Sequence, residues 1–130
     1  MTPSVPLPEP GRRRSDRGSV TAETAVLLPV LLIVLAAAVG VLACVAGQLR
    51  CIDAARAAAR VAARGDDPAV VRTAAERLAP PGARVTIVST GDVVEVLVSA
   101  QVRPFGSAFA GLGSIDVSGR AVASAEGAPR

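Results

Sequence analysis

From Thr24 to Leu49 the chain carries no formal charge, and only Thr24 and Gln48 in that stretch are clearly polar. An apolar run of about 20 residues, rising about 1.5 Å per residue as a helix, spans the roughly 30 Å hydrocarbon core of a bilayer. A buried helix in a soluble protein can be equally apolar. A chain of 130 residues with two phenylalanines as its whole aromatic complement has too little other apolar bulk to enclose one this long. The run is read as a membrane-spanning helix, and the remainder as what stands on either side of it.

The near side is residues 1–18. Four prolines in the first ten positions leave no helix or strand there, and the segment buries nothing. Arg12, Arg13, Arg14 and Arg17 stand directly before the apolar run. Short basic flanks stay cytoplasmic, because moving Arg across the membrane is unfavourable. Arg50, Arg56, Arg60 and Arg64 follow the run, so the positive-inside count ties; the tighter clustering of the first four favours a cytoplasmic N-terminus.

The chemical inventory is short. There is no His, Lys, Trp or Tyr, so all 14 basic residues are Arg and the usual general bases shrink to carboxylates. The sequence contains no catalytic constellation, no metal-ligand cluster and no phosphate-cradling loop, and it implies no cofactor. A sequence pI near 10.1 and a net charge of +3 suggest nucleic acid at first sight. The arginines flank the apolar run without interleaved aromatics, however, which fits membrane topology and not a nucleic-acid partner.

Glu23 is the one carboxylate at the mouth of the run. An ionisable residue there is costly and is a functional hypothesis by default. The bland alternative is a residue favoured by the helix dipole, with Ser19 or Thr21 as cap. Basic leader, Gly18, four residues, Glu23 and a long apolar helix together form a pattern resembling the substrates of type IV prepilin peptidases, which cut after the glycine. The stretch Arg17-Gly-Ser-Val-Thr-Ala-Glu-Thr-Ala-Val-Leu-Leu-Pro resembles the start of TadE-like proteins, minor pilins or pseudopilins of tight-adherence (Flp-type) pili, through Gly18, Glu23, Ala25 and Pro29. Gln48-Leu-Arg-Cys-Ile-Asp-Ala-Ala-Arg-Ala-Ala-Ala-Arg is similar to actinobacterial members. The resemblance implies cleavage between Gly18 and Ser19, and a Glu23 that neutralises the new amino terminus of a neighbouring subunit. The chain departs from the family at Thr24, where such pilins often carry an aromatic.

Within the run, Pro29 frees a carbonyl one turn back and is a candidate helix kink. Gly40 and Gly47, with Ala36 and Ala43, make a small-residue surface suited to close approach of another helix. Cys44 and Cys51, seven residues apart on nearly one face, are about 10 Å apart along the axis, too far for an intrachain bridge. Cys51, beyond the run, is a candidate for an intersubunit disulfide in an oxidising compartment. Val41-Leu-Ala-Cys44 also offers a lipoprotein cleavage box, although Leu42 is large for it and the preceding apolar segment is long.

Helix is expected to continue from Gln48 to about Arg64, with Arg56, Arg60 and Arg64 on one face and Ala54, Ala55, Ala58 and Ala62 on another. Gly65-Asp-Asp-Pro stops it, and Asp67 caps a second helix over 68–79 with Pro68 at its first position. Three strands follow: Val85–Thr90, Val93–Val102 after a Gly91-Asp92 turn, and Ile115 to about Ala123. The expected fold is α+β: a long N-terminal transmembrane helix continuing outside the membrane, then a three-stranded antiparallel meander covered by the short helix. The expected organisation is a leader over 1–18, the helix over 19–64 and an extracytoplasmic αβ domain over 65–130.

These expectations describe a non-enzymatic, single-pass minor pilin or pilus-assembly protein, N-terminus cytoplasmic and domain extracytoplasmic. Its partners would be a prepilin peptidase, other pilin or pseudopilin helices with the assembly machinery, and the bilayer. The alternative is an unprocessed anchor, or a lipoprotein cut before Cys44, carrying a small binding module.

Overall fold

The computed structural model describes residues 1–6 and 14–125. Residues 7–13, which hold Arg12 and Arg13 of the basic cluster, and residues 126–130 lie outside the described residues. Residues 1–6 are exposed and form no regular element. Contacts group the chain into two units, Met1–Ala36 and Ala37–Arg130.

The helix α1 runs Arg14–Ala63, 50 residues, without a break at Pro29. It begins four residues before Gly18, so Ser19 and Thr21 lie in its interior and cap nothing. The Thr21 hydroxyl instead donates to the Arg17 carbonyl at 2.9 Å, and Thr24 to the Val20 carbonyl at 2.8 Å, the back-bonding that hydroxyl side chains adopt inside helices. In the first unit every α1 side chain from Arg17 to Ala36 is exposed, as suits a helix that meets solvent lipid on all sides.

The second unit is an α+β domain. It holds the distal part of α1, a short helix α2 (Pro68–Glu76), and strands β1 (Arg84–Thr90), β2 (Val93–Val102) and β3 (Ile115–Ser124). Gly65, at φ 78, turns the chain out of α1 while its amide donates to the Ala62 carbonyl at 3.0 Å. Asp67 caps α2 as its sequence implies: its carboxylate accepts from the Ala69 amide at 2.8 Å, and Pro68 fills the first position, where no amide is needed.

The sheet has the order β1-β2-β3, both pairs antiparallel. β1 joins β2 from Arg84↔Ser99 to Thr90↔Val93, closed by Gly91 at φ 59, and β2 joins β3 from Val93↔Ser124 to Val102↔Ile115. Val96, Val98 and Ala100 alternate on the buried face of β2, as period-two patterning requires.

The sheet's cover differs from the sequence expectation. The short helix touches mainly the β1 side, where the Arg72 guanidinium donates to the Val85 carbonyl at 3.2 Å. Most of the core opposite Val96, Val98 and Val117 comes from α1: Cys51, Ala54, Ala55, Ala58, Ala59 and Ala62, with Val71 and Ala75 of α2 beside them. Alanines suit this position because a helix without bulky side chains lets the sheet approach closely. The same argument reassigns the glycines. Gly47 faces Val102, and Gly40 faces Phe105 and Pro104, so these two glycines receive the chain's own sheet and loop. From Gly40 onward α1 is covered on one face only, with Val41, Leu42, Val45 and Leu49 still exposed on the other.

Candidate membrane anchor and processing site

α1 is long and apolar enough to cross a membrane, with a mean hydropathy of 3.0 in its most apolar window and 6% of that window buried. A core helix of a soluble protein would be covered over such a window; this one is bare. From Thr24 to Ala43, about 20 uncharged residues give the roughly 30 Å that the hydrocarbon core requires.

The residues that the sequence marks for processing all lie at the near end of this helix. Gly18 and Ser19 are exposed and helical, and nothing approaches within 4 Å of a Cβ built on Gly18. Glycine is an inferior helix former by about 1 kcal/mol, so Gly18 contributes less to the first turns than another residue would. Glu23 is exposed one turn further along, on the face it shares with Ser19 at i,i+4 spacing. Pro29 is exposed on the uninterrupted helix.

Cys51 stands elsewhere and in a different setting. Its side chain is 0% exposed, its sulfur lies 3.9 Å from the Val117 carbonyl, and burial pushes the thiol's pKa up. A bridge from Cys51 to another chain would first require the sheet to leave the helix. Cys44 is half-buried inside α1.

One residue that matters was passed over in the sequence. In the sequence Gln48 marks a polar end to the apolar run and the start of the helical extension, with no partner indicated. Its Nε2 donates to the Ser118 carbonyl at 2.6 Å and its Oε1 accepts from the Ser118 amide at 3.1 Å. The side-chain amide thus completes the outer edge of β3 as another strand would, and holds the sheet in register on α1. A Gln at the end of an apolar helix is the only local signal; its partner lies 70 residues away.

The family model for TadE-like proteins matches residues 18–60, from the candidate cleavage glycine to the alanine face that covers the sheet. The chain is also 37% identical over 107 residues to the apoptosis inhibitor Rv3655c of Mycobacterium tuberculosis, covering 80% of this chain and 77% of that protein. No solved structure matches it. With the bare apolar helix, the small α+β domain built on its distal end and these similarities, the chain belongs to the TadE-like family of membrane-anchored proteins.

Proposed function

We propose that this chain is a minor pilin or pilus-assembly subunit, cut between Gly18 and Ser19 by a prepilin peptidase and held in the membrane by the exposed part of α1. The observation that carries this reading is Glu23, five residues after Gly18 on a bare helix, inside the segment that matches the TadE-like family. Cleavage removes four arginines and two carboxylates, lowering the formal side-chain charge from +3 to +1 and leaving an ionised amine at Ser19. When such helices pack side by side in lipid, an unpaired charge is strongly penalised, and Glu23 of one subunit neutralises the amine of the next. The αβ domain, extracytoplasmic in this orientation, then adapts or initiates the assembly. The chain is substrate and building block; the chemistry belongs to the peptidase.

The test is the intact mass and first residue of the protein recovered from membranes of its own host. A chain beginning at Ser19 supports the reading and sets the N-terminus on the cytoplasmic side. A chain beginning at a lipid-modified Cys44 replaces it with a lipoprotein, and an uncut chain leaves a plain anchor.

A further inference from the structure

The loop between β2 and β3 is the longest uncharged stretch of the domain outside α1. From Pro104 to Ile115 no residue carries a charge, and a short 3-10 turn, Ser107–Leu112, presents Phe109 and Leu112 at 62% and 68% exposure. Exposed large apolar side chains grouped in this way mark a contact surface. Their position on the domain identifies the contact. Phe105 stands against α1 at Gly40, where an added Cβ would meet the ring at 3.0 Å, and the Phe109 ring meets Phe105 edge-on with centroids 6.5 Å apart. The loop therefore lies beside the level of α1 at which the uncharged helix is first covered on one face. On the adjoining turn Val41 and Leu42 are also exposed, at 64% and 68%.

Charge returns just beyond this level. Arg50, Arg84 and Arg103 line an open cleft of about 940 Å³ together with Asp116. The two ion pairs among the described residues, Arg64–Asp66 and Arg120–Glu95, involve none of these three arginines. An apolar tip followed by a collar of arginines is the layering of a bilayer surface, acyl chains first and phosphates next.

We propose that this end of the domain is seated in the bilayer leaflet on its own side, with Phe109 and Leu112 entering the acyl boundary next to α1 and the arginine collar at the phosphates. The occupant is phospholipid, because the loop surface is continuous with the uncharged run of α1, and about 20 residues counted from Thr24 bring the hydrocarbon boundary to about Ala43, within one turn of Gly40. The proposal rests on the membrane-anchor assignment. It makes the domain a body fixed in depth and tilt, in contrast to one tethered by a swivelling helix.

The chain has no Trp, so Phe109→Trp or Leu112→Trp introduces a sole indole at an exposed position where folding is undisturbed. Each full-length variant is reconstituted into phosphatidylglycerol–phosphatidylcholine vesicles, with Val88→Trp, near the opposite end of the sheet, as the water-exposed reference. The expected result is blue-shifted emission for both loop variants, quenched at least about twofold more by bromine-labelled acyl chains than the Val88 reference, and protected from iodide. Iodide-quenched, unshifted emission from both loop variants in chains that co-float with vesicles overturns the proposal and leaves the anchor standing. An indole shielded from both quenchers overturns it in favour of a contact with a second copy. A chain that fails to co-float removes the anchor assignment and the proposal with it.

Discussion

Gly119 of β3 lies directly on the backbone of Cys51: a Cβ built on the glycine would overlap the Cys51 carbonyl group and the Ile52 amide nitrogen. Because the obstruction is backbone on a helix, no rotamer relieves it. Gly119→Ala is expected to destabilise the domain by about 3 kcal/mol, at the upper end of what overpacking costs. Denaturant unfolding of the micelle-bound protein checks it. By contrast, Gly111→Ala meets nothing within 4 Å and should leave the midpoint unchanged.

Removing the amide of Gln48 leaves the Ser118 amide and carbonyl without their side-chain partner. Gln48→Ala should cost about 1 kcal/mol, and Gln48→Glu more, since a carboxylate keeps the acceptor but turns a donor into a charge facing the Ser118 carbonyl. Hydrogen exchange at the Ser118 amide should accelerate in both variants.

Cys51 gives the domain a pH dependence whose sign is fixed by burial. The thiol's pKa is raised in the folded state, so its contribution is complete below the unfolded value of about 8.5 and is lost as pH rises from there toward the folded value. With no Lys or Tyr in the chain, few other groups titrate in that window. Stability should therefore fall as pH rises above about 8.5 in the wild type, and Cys51→Ala should flatten that fall. The same burial predicts that a maleimide labels Cys51 only after unfolding.

For Glu23 the expected phenotype separates insertion from assembly. Glu23→Ala should enter the membrane as the wild type does, since it only removes a charge from an apolar helix end. It should fail to co-purify with pilus components, because a buried amine without its partner costs about 3–5 kcal/mol. Membrane fractionation and pull-down from the host distinguish the two steps; normal incorporation would deprive the pilin reading of its mechanism.

Local signals in the sequence were dependable where the physics is local. Asp67-Pro68 begins a helix, Gly65 ends one, and the strand expected over Val93–Val102 is β2 at its observed bounds. What escaped was the partner of each surface. Gly40, Gly47 and the alanines announced a face that something approaches closely, but periodicity along one helix does not say whether a helix or a sheet arrives. The answer lay in Val102, Phe105 and Gly119, more than 50 residues downstream. For the same reason the covered face of α1 beyond Gly40 is not legible in the sequence, since an uncharged residue on an exposed face and one facing a sheet look alike. Gln48 was unreadable because the groups it satisfies are backbone, which leaves no mark in composition.

The order in which the elements are made has a consequence for biogenesis. Cys51 to Ala62, which hold six of the thirteen buried core residues, leave the ribosome before any strand exists, and β3, which covers Cys51, follows β1 and β2. Throughout the synthesis of everything between, the alanine face of α1 waits bare beside a membrane that is already occupied by the earlier part of the same helix. Cover of Cys51 thus waits for the third strand, and a thiol that has become unreactive is the chain's own signature that the sheet has closed on α1.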